Sequence, residues 1–327
     1  MKKVTLLIPC YNEEESLYPL FLAIKNVISS LHQYGWEILF VNDGSNDQTL
    51  SKIKELKDSN PCISYVDLSR NFGKERALLA GFDFAKGDCL VIMDADLQHP
   101  PAVIPEMLNW WEQGYDDVYA KRSSRGKESW IRRTMSLFYY KLLEGLSDSN
   151  VGVLKNVGDF RLLDRKCIDA LRGMRESERY TKGMYSWIGF KKKEIVFDQE
   201  DRIAGESSFG FKKLFNLALD GITSFSVAPL RISTILGLIV SAVAFIYMIV
   251  VLVKTVFFGE IVKGFPTLIV VILFLGGVQL LSLGIIGEYI GRIFNESKRR
   301  PVYFVNEYCS DSQEENDCHN KSISETE

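Results

Sequence analysis

Two aspartates one residue apart, Asp94 and Asp96, close a short apolar run and lead straight into Gln98 and a Pro-Pro pair, in the stretch VIMDADLQHPP at Val91–Pro101. Carboxylates at that spacing can both reach one hard divalent cation, Mg2+ or Mn2+. The cation can then hold the two phosphates of a nucleoside diphosphate. A lone DxD is also what a solvated acidic turn looks like. Here Leu90 to Met93 reads as a buried strand, and ligands of open α/β sheets bind at the carboxyl ends of strands. That context favours a metal site.

Two acids at a strand end need a sheet around them. Val4–Ile8 reads as a strand, and PCYNEEES breaks it and starts a helix. Leu17, Leu20, Phe21, Ile24, Val27, Ile28 and Leu31 then recur at three- and four-residue steps, giving that helix one apolar face. Trp36–Val41 is the next strand. It ends in NDGSNDQT, with Asp43 at its carboxyl end and Ser45 to Asp47 able to cap a helix to about Lys57. Ile63–Leu68 repeats the pattern, with Arg70, Asn71 and Gly73 in its exit loop and a helix through Phe84. Leu90–Met93 follows, and Val118–Lys121 is a later strand. The alternation predicts an α/β class with a parallel, doubly wound sheet, whose right-handed crossovers bring every strand's carboxyl end to one edge. Tyr11, Asp43, Arg70 and Asp94 are therefore predicted to converge.

The chain has 327 residues, 46% hydrophobic and 25% charged, but the composition is uneven. Ile232–Val253 and Phe265–Gly287 carry no charge, and at about 1.5 Å per residue each crosses a hydrocarbon core of about 30 Å. Two transmembrane helices are predicted, at 232–253 and 265–289, joined by a hairpin at Lys254–Gly264. Arg231, Lys212 and Lys213 before the first span, and Arg292, Lys298, Arg299 and Arg300 after the second, outweigh Lys254 and Lys263 between them. That bias predicts the soluble part and both termini in the cytoplasm. In 209–228, Phe211, Leu214, Phe215, Ala218, Ile222 and Phe225 form one stripe, which suits a helix in the membrane interface. An ordinary amphipathic helix packed on the soluble domain remains the alternative. Gly237 with Ser241, and Gly287 with Gly291, have the small-residue spacing that allows close helix approach.

Glu307–Glu327 holds seven acids against Lys321, so this tail carries −6 of a net −3 and the rest of the chain about +3. The segment 290–327 reads as a basic flank followed by a disordered tail from about Ser310. No basic run long enough for nucleic acid is present. The six cysteines include no CxxC, and the N-terminal apolar run ends at Pro9, too early for a signal peptide. A reduced cytoplasmic setting is the simplest reading.

PCYNEEES, VNDGSNDQT, the RNFGK after the third strand and DADLQHPP together resemble the inverting family 2 glycosyltransferases with a GT-A, nucleotide-sugar-binding fold. GDFRLLDR at Gly158–Arg165, DRIAGESSFGFKKL at Asp201–Leu214 and LALDGITSFSVAPLR at Leu217–Arg231 are similar to their polyprenyl-phosphate branch. The resemblance implies a catalytic domain at 1–208, a nucleotide-sugar donor, a polyprenyl phosphate acceptor and a membrane-bound enzyme. It implies that Pro9, Tyr11, Glu13, Val41, Asp43 and Ala95 hold the donor with Asp94, while Asp94, Asp96 and Gln98 bracket an Mg2+ or Mn2+ ion. Arg122 and Arg202 would meet phosphate or sugar, Asp159 would be the catalytic carboxylate, and Arg202, Lys212 and Lys213 would face the lipid phosphate. For Arg122 a surface ion pair stays open, and for Asp159 a helix cap or a pairing with Arg161 or Arg165. Relatives often carry GESKY where this chain has Gly205-Glu206-Ser207-Ser208-Phe209, so Ser208 replaces a lysine.

Further implications are a homo-oligomer, a downstream flippase and a glycosyltransferase beyond the membrane. Glucose is the first choice of sugar, ahead of N-acetylglucosamine and mannose. Two other classes stand beside this one. A processive polysaccharide synthase would need a QxxRW signature, and Gln199–Ile203 lacks the Trp. A non-enzymatic membrane scaffold would have no use for Asp94, Asp96 and Asp159.

Overall fold

Alternation along the first strand decides how the molecule is layered. In β1 (Lys2–Cys10), Leu6 and Ile8 face one core cluster and Leu7 faces the other, all fully buried, as the two-residue period of a strand requires. The computed structural model describes residues 1–123, 157–177, 179–197 and 264–310, with single positions between 230 and 257. They fall in two compact units, one from residues 1–140, 151–210 and 301–327, the other from 141–150 and 211–300.

The first unit is built on an eight-stranded sheet. Its strands are β1, β2 (Tyr34–Asn42), β3 (Ile63–Leu68), β4 (Cys89–Ile92), β5 (Asp117–Arg122), β6 (Val157–Asp164), β7 (Lys192–Phe197) and β8 (Val305–Cys309). Across the sheet they run β7-β5-β6-β4-β1-β2-β3-β8. Helices α1 (Leu17–Ile28), α2 (Thr49–Ser59) and α4 (Ile104–Glu112) bury apolar residues in one cluster. Those of α3 (Lys74–Phe84), α5 (Arg165–Gly173) and α6 (Thr181–Trp187) enter the other. The doubly wound expectation therefore holds, and each predicted strand lies within two residues of its observed bounds.

The sheet is mixed, which corrects the all-parallel expectation. β4, β1, β2 and β3 are parallel, but β6 runs antiparallel to both β4 and β5, and β8 runs antiparallel to β3. The chain steps β1, β2, β3 in one direction and then places β4 on the other side of β1. The crevice for a ligand in such a sheet lies at that reversal, outside the carboxyl ends of β1 and β4. The antiparallel run of β6 has a consequence for the site. Ile92 pairs with Arg161, so the beginning of β6, with Asp159, lies beside the end of β4, where Asp94 follows.

β8 belongs to a stretch in which the sequence suggested no element. Glu307, counted above among the acids of the tail, accepts from Tyr65 Oη and pairs with Lys54 Nζ, each at 2.5 Å. Asn306 donates to Asp67 and Tyr303 to Asp83. The strand thus closes an edge of β3 that would otherwise offer unpaired backbone groups.

In the second unit, α7 (Phe265–Ser297) is one 33-residue helix, and Phe274–Ser297 within it is long and apolar enough to cross a membrane. Its Leu280, Leu283, Ile290 and Ile293 are all more than half exposed, a large apolar surface among the described residues. The helix runs eight residues past the predicted end of the span, through Arg292, which pairs with Glu288 one turn earlier. The described positions of the first predicted span are helical, and Ser233 donates to Ser282 of α7 at 2.9 Å. Only α7 meets the length and apolarity of a span among the described residues, so one such helix is observed where two were expected. A Cβ built at Gly237, Gly287 or Gly291 meets no described atom within 4 Å, so these glycines show no close approach there. The interfacial segment 209–228 and the tail from Asp311 lie outside the described residues.

The start of β6 is held by a buried ion pair. Arg161, 1% exposed, sets Nη1 3.0 Å from Oδ2 of Asp117, which is 0% exposed, and its guanidinium lies 3.6 Å from the Tyr185 ring centre. Arg161→Met, which strands Asp117, is expected to destabilise the fold by about 3–5 kcal/mol, whereas replacing both partners with apolar residues costs far less. Urea unfolding of the two variants checks this, and equal midpoints would contradict it.

Candidate active site

The loops that leave β1 and β2 are bonded into one surface. Asn12, at φ 55, receives Asn46 N–H on its side-chain oxygen at 2.9 Å and donates its own N–H to Ser45 Oγ at 3.0 Å. Glu13 N–H reaches Thr49 Oγ1 at 2.8 Å, and the Glu13 carboxylate accepts from Ser16 in the turn that leads into α1 at 2.7 Å. Asp43 follows β2 and is almost fully buried. Its carboxylate accepts the N–H groups of Phe72 at 2.7 Å and Gly73 at 2.9 Å, so it fastens the exit loop of β3 to that of β2. Burial pushes the Asp43 carboxyl up from its ordinary value, against those two N–H groups and the charges of Arg76 and Arg70. Gly44, at φ 61, allows the contact, because a Cβ there would strike the backbone of Arg70 and Asn71.

Beside this surface stands the DADLQH turn. Asp94 and Asp96 are half-buried and Ala95 and Leu97 buried, an alternation that presents both acids to one side. Leu97 takes φ 61, and Gln98 N–H closes on Asp96 Oδ1 at 3.2 Å. Asp94 N–H donates to His99 Nδ1 at 3.1 Å, and the His99 ring stacks on Phe160 with centroids 4.7 Å apart. Burial pushes His99 below its ordinary value, so the ring is neutral with its proton on Nε2. Sequence reasoning passed over His99. Its only signal was its place inside the acidic motif.

Asp159 arrives from the antiparallel strand. It is 7% exposed, its Oδ2 lies 2.9 Å from Lys74 Nζ, and its Oδ1 has no hydrogen-bond partner among the described residues. The same Lys74 Nζ lies 2.5 Å from Asp94 Oδ1. Burial would push the Asp159 carboxyl up, but the charges of Lys74, Lys182 and Arg161 outweigh it and hold the group well below the usual carboxylate range. Asp159 therefore pairs with Lys74, while Arg161 is committed to Asp117 and Arg165 donates to the carbonyls of Ala85 and Gly87. The two pairings left open for Asp159 by the sequence are thus replaced by a third. Lys74, the last residue of RNFGK, was quoted in that motif without a role.

Of the predicted site residues, Asp43, Asp94, Asp96, Gln98 and Asp159 gather at one sheet edge. Arg122 joins them, because its neighbour Lys121 pairs with Val157 at the start of β6. Pro9 is half-buried, Tyr11 is 43% exposed, and Val41 and Ala95 sit in the core, so the last two could meet a ligand only through the main chain. Arg202, Lys212 and Lys213 lie outside the described residues.

The residues fit a divalent cation of the oxygen-seeking kind. Asp94 and Asp96 offer carboxylate oxygens on one turn, and His99 Nδ1 is already engaged. No group of three or more His, Cys, Asp or Glu among the described residues is arranged around a metal. A pair of carboxylates is what Mg2+ takes from a protein when phosphate oxygens and water fill the other positions.

Comparison with known proteins shows the family. Residues 5–172 match the model "Glycosyl transferase family 2", and residues 228–293 match "GtrB C-terminal hairpin". The prophage bactoprenol glucosyl transferase homolog of Escherichia coli K12 is 45% identical over 93% of this chain and 98% of its own. The bactoprenol glucosyl transferase of Shigella phage SfV is 44% identical over the same shares. Among solved structures, glucosyl-3-phosphoglycerate synthase from Mycobacterium tuberculosis, in complex with Mn2+, UDP-glucose and phosphoglyceric acid, aligns with a TM-score of 0.47 at 17% identity. That alignment covers 67% of this chain and 76% of that one.

His99 accepts the Asp94 N–H on Nδ1 and packs its ring against Phe160 and Phe197. His99→Phe keeps the stack and loses the acceptor, and is expected to lower turnover by about 10–100-fold, in the range of supporting shells around metal ligands. The melting temperature should change little. Turnover equal to that of the parent would show that Asp94 needs no such support.

Proposed function

The chain belongs to glycosyl transferase family 2, and on that premise we propose that it moves glucose from UDP-glucose to undecaprenyl phosphate at the cytoplasmic face of a membrane, with inversion. The observation that carries the reading is the meeting, at one sheet edge, of the paired acids Asp94 and Asp96 with Asp159, linked to Asp94 through Lys74. The apolar helix α7, the hairpin model match and the bactoprenol-named relatives support a lipid acceptor. Mg2+ or Mn2+, when bound at Asp94 and Asp96 with Gln98 beside them, would supply positive charge against the donor's diphosphate and its departing nucleoside diphosphate.

The chain's own residues do the rest. The bonded loops after β1 and β2, with Pro9, Tyr11, Glu13 and Asp43, make the floor for the nucleoside, and the main chain at Val41 and Ala95 borders it. Arg122 brings a planar set of donors to the edge where the phosphates must lie. Asp159 orients the acceptor. A carboxylate held so far below its ordinary range is a poor proton acceptor, which would handicap chemistry on a neutral sugar hydroxyl. A phosphate monoester has no such need, because its second ionisation falls near about 6 and it is largely dianionic at neutral pH. The remaining difficulty is bringing two anions together, and that is met by fixed cations and positioning. Attack opposite the leaving group turns an α-linked donor into a β-linked lipid phosphate sugar. Arg202, Lys212 and Lys213 are assigned to the lipid phosphate, and the spans at 232–253 and 265–289 to anchorage, with both termini in the cytoplasm.

Purified full-length protein incubated with undecaprenyl phosphate and a panel of UDP- and GDP-sugars, followed by mass spectrometry of the lipid, tests the assignment. Hexosyl lipid phosphate from UDP-glucose is expected. A different donor would change the sugar, and transfer only to soluble acceptors would remove the lipid. Asp96→Asn and excess chelator should each abolish transfer, the second reversibly; full activity in chelator would refute the metal.

The rate should rise with pH along a limb near about 6, set by the acceptor phosphate, since Asp159 is already ionised there. A more basic phosphonate acceptor should carry that limb upward; a limb fixed in place would belong to the enzyme. For topology, a cysteine from Gly259→Cys should label from outside the cell and one from Ser310→Cys only after permeabilisation. The reverse pattern would put the catalytic unit on the wrong side for cytoplasmic donors.

A further inference from the structure

Lys74 opens α3 directly after Gly73, and its ammonium lies 2.5 Å from Asp94 Oδ1 and 2.9 Å from Asp159 Oδ2. Its backbone neighbours are fixed from another side, because Phe72 and Gly73 give their N–H groups to Asp43. One five-residue segment, Arg70–Lys74, therefore touches the carboxylate assigned to the nucleoside, the one assigned to the cation and the one assigned to the acceptor. Gly73, at φ 95, is what lets the chain turn from the Asp43 bonds into the helix that carries the lysine.

We propose that Lys74 is a positioning residue that acts as an exchangeable cation: it shares Asp94 with the incoming divalent ion, yields to that ion, and shifts its hold to Asp159. The inference rests on the assignment of Asp94 and Asp96 to a metal. A monovalent ammonium and a divalent ion competing for one carboxylate repel each other, so a lysine bonded to Asp94 weakens metal binding when no donor diphosphate is present to offset the charge. Its second partner makes the competition useful. Asp159 offers the ammonium somewhere to go, so occupation of the donor side reinforces the ion pair on the acceptor side. Loading one substrate then arranges the carboxylate that meets the other. The Lys74 side chain is 42% accessible, and the two acids offset the cost of drawing its ammonium out of water.

The relation is tested by binding, without turnover. Mn2+ affinity of the full-length protein in detergent is read from the electron paramagnetic resonance signal of free Mn2+, with and without UDP. The series is the parent, Lys74→Met, Asp159→Asn and the double variant, which removes one charge of each sign and guards against loss of folding in the singles. Lys74→Met is expected to tighten Mn2+ binding on the order of tenfold without UDP, and less with it, a size comparable to other supporting contacts around metals. Asp159→Asn should weaken binding several-fold in the parent, because the lysine then has only Asp94, and should have no effect once Lys74 is gone.

Two results overturn the proposal alone: unchanged or weaker Mn2+ binding in Lys74→Met, or an Asp159→Asn effect of equal size in both backgrounds, which would mark direct attraction instead of mediation by the lysine. Absence of Mn2+ binding in every variant, with UDP present, would overturn the metal assignment first and the role of Lys74 with it.

Discussion

Carboxylates gathered at one sheet edge repel each other and resist burial, and most of what surrounds this site answers that problem. Asp43 spreads its charge over two backbone N–H groups, Asp94 and Asp159 share one ammonium, and Asp117, deeper in the sheet, pairs with the buried Arg161 guanidinium. The answers differ with depth. At the rim, hydrogen bonds and a partly exposed lysine suffice, while in the core a complete pair with good geometry is required, because an isolated charge there costs several kcal/mol. Burial still pushes the Asp117 carboxyl up despite Arg161, so that pair holds β6 in place at some expense in stability. The expense falls where precision is needed, two residues from Asp159.

The parallel half of the fold was legible because its signals are local. Apolar runs of four to six residues, each followed by a polar turn and an amphipathic stretch, give β1 to β4 and α1 to α3, and they give the edge at which Asp43 and Asp94 meet. The antiparallel β6 was hidden for a physical reason. FRLLD carries a buried arginine, so its periodicity is broken, and the partners that allow the burial, Asp117 44 residues earlier and the Tyr185 ring, are far away in sequence. His99 and Lys74 were illegible in another way. His99 is held by a ring on β6 and Lys74 by two acids far apart in sequence, Asp94 and Asp159, contacts that no spacing within the motifs encodes.

β8 shows how a composition argument can mislead about a single residue. Glu307 was counted with an acidic tail, yet its carboxylate lies between Lys54 and Tyr65, which hold it below its ordinary value. What decides is the backbone. An exposed strand edge on β3 needs a partner, and a short segment with Val305 and Tyr308 toward the core supplies one.

That strand also brings the far end of the chain back into the first unit. The chain leaves the first unit at about residue 210 and returns to it at residue 301, four residues before it enters the sheet. The hydrogen bonds of β8 to β3, with the side-chain ties at Tyr303, Asn306 and Glu307, therefore complete the first unit with chain from beyond α7, so that the sheet presenting Asp43 and Asp94 is assembled from both ends of the sequence.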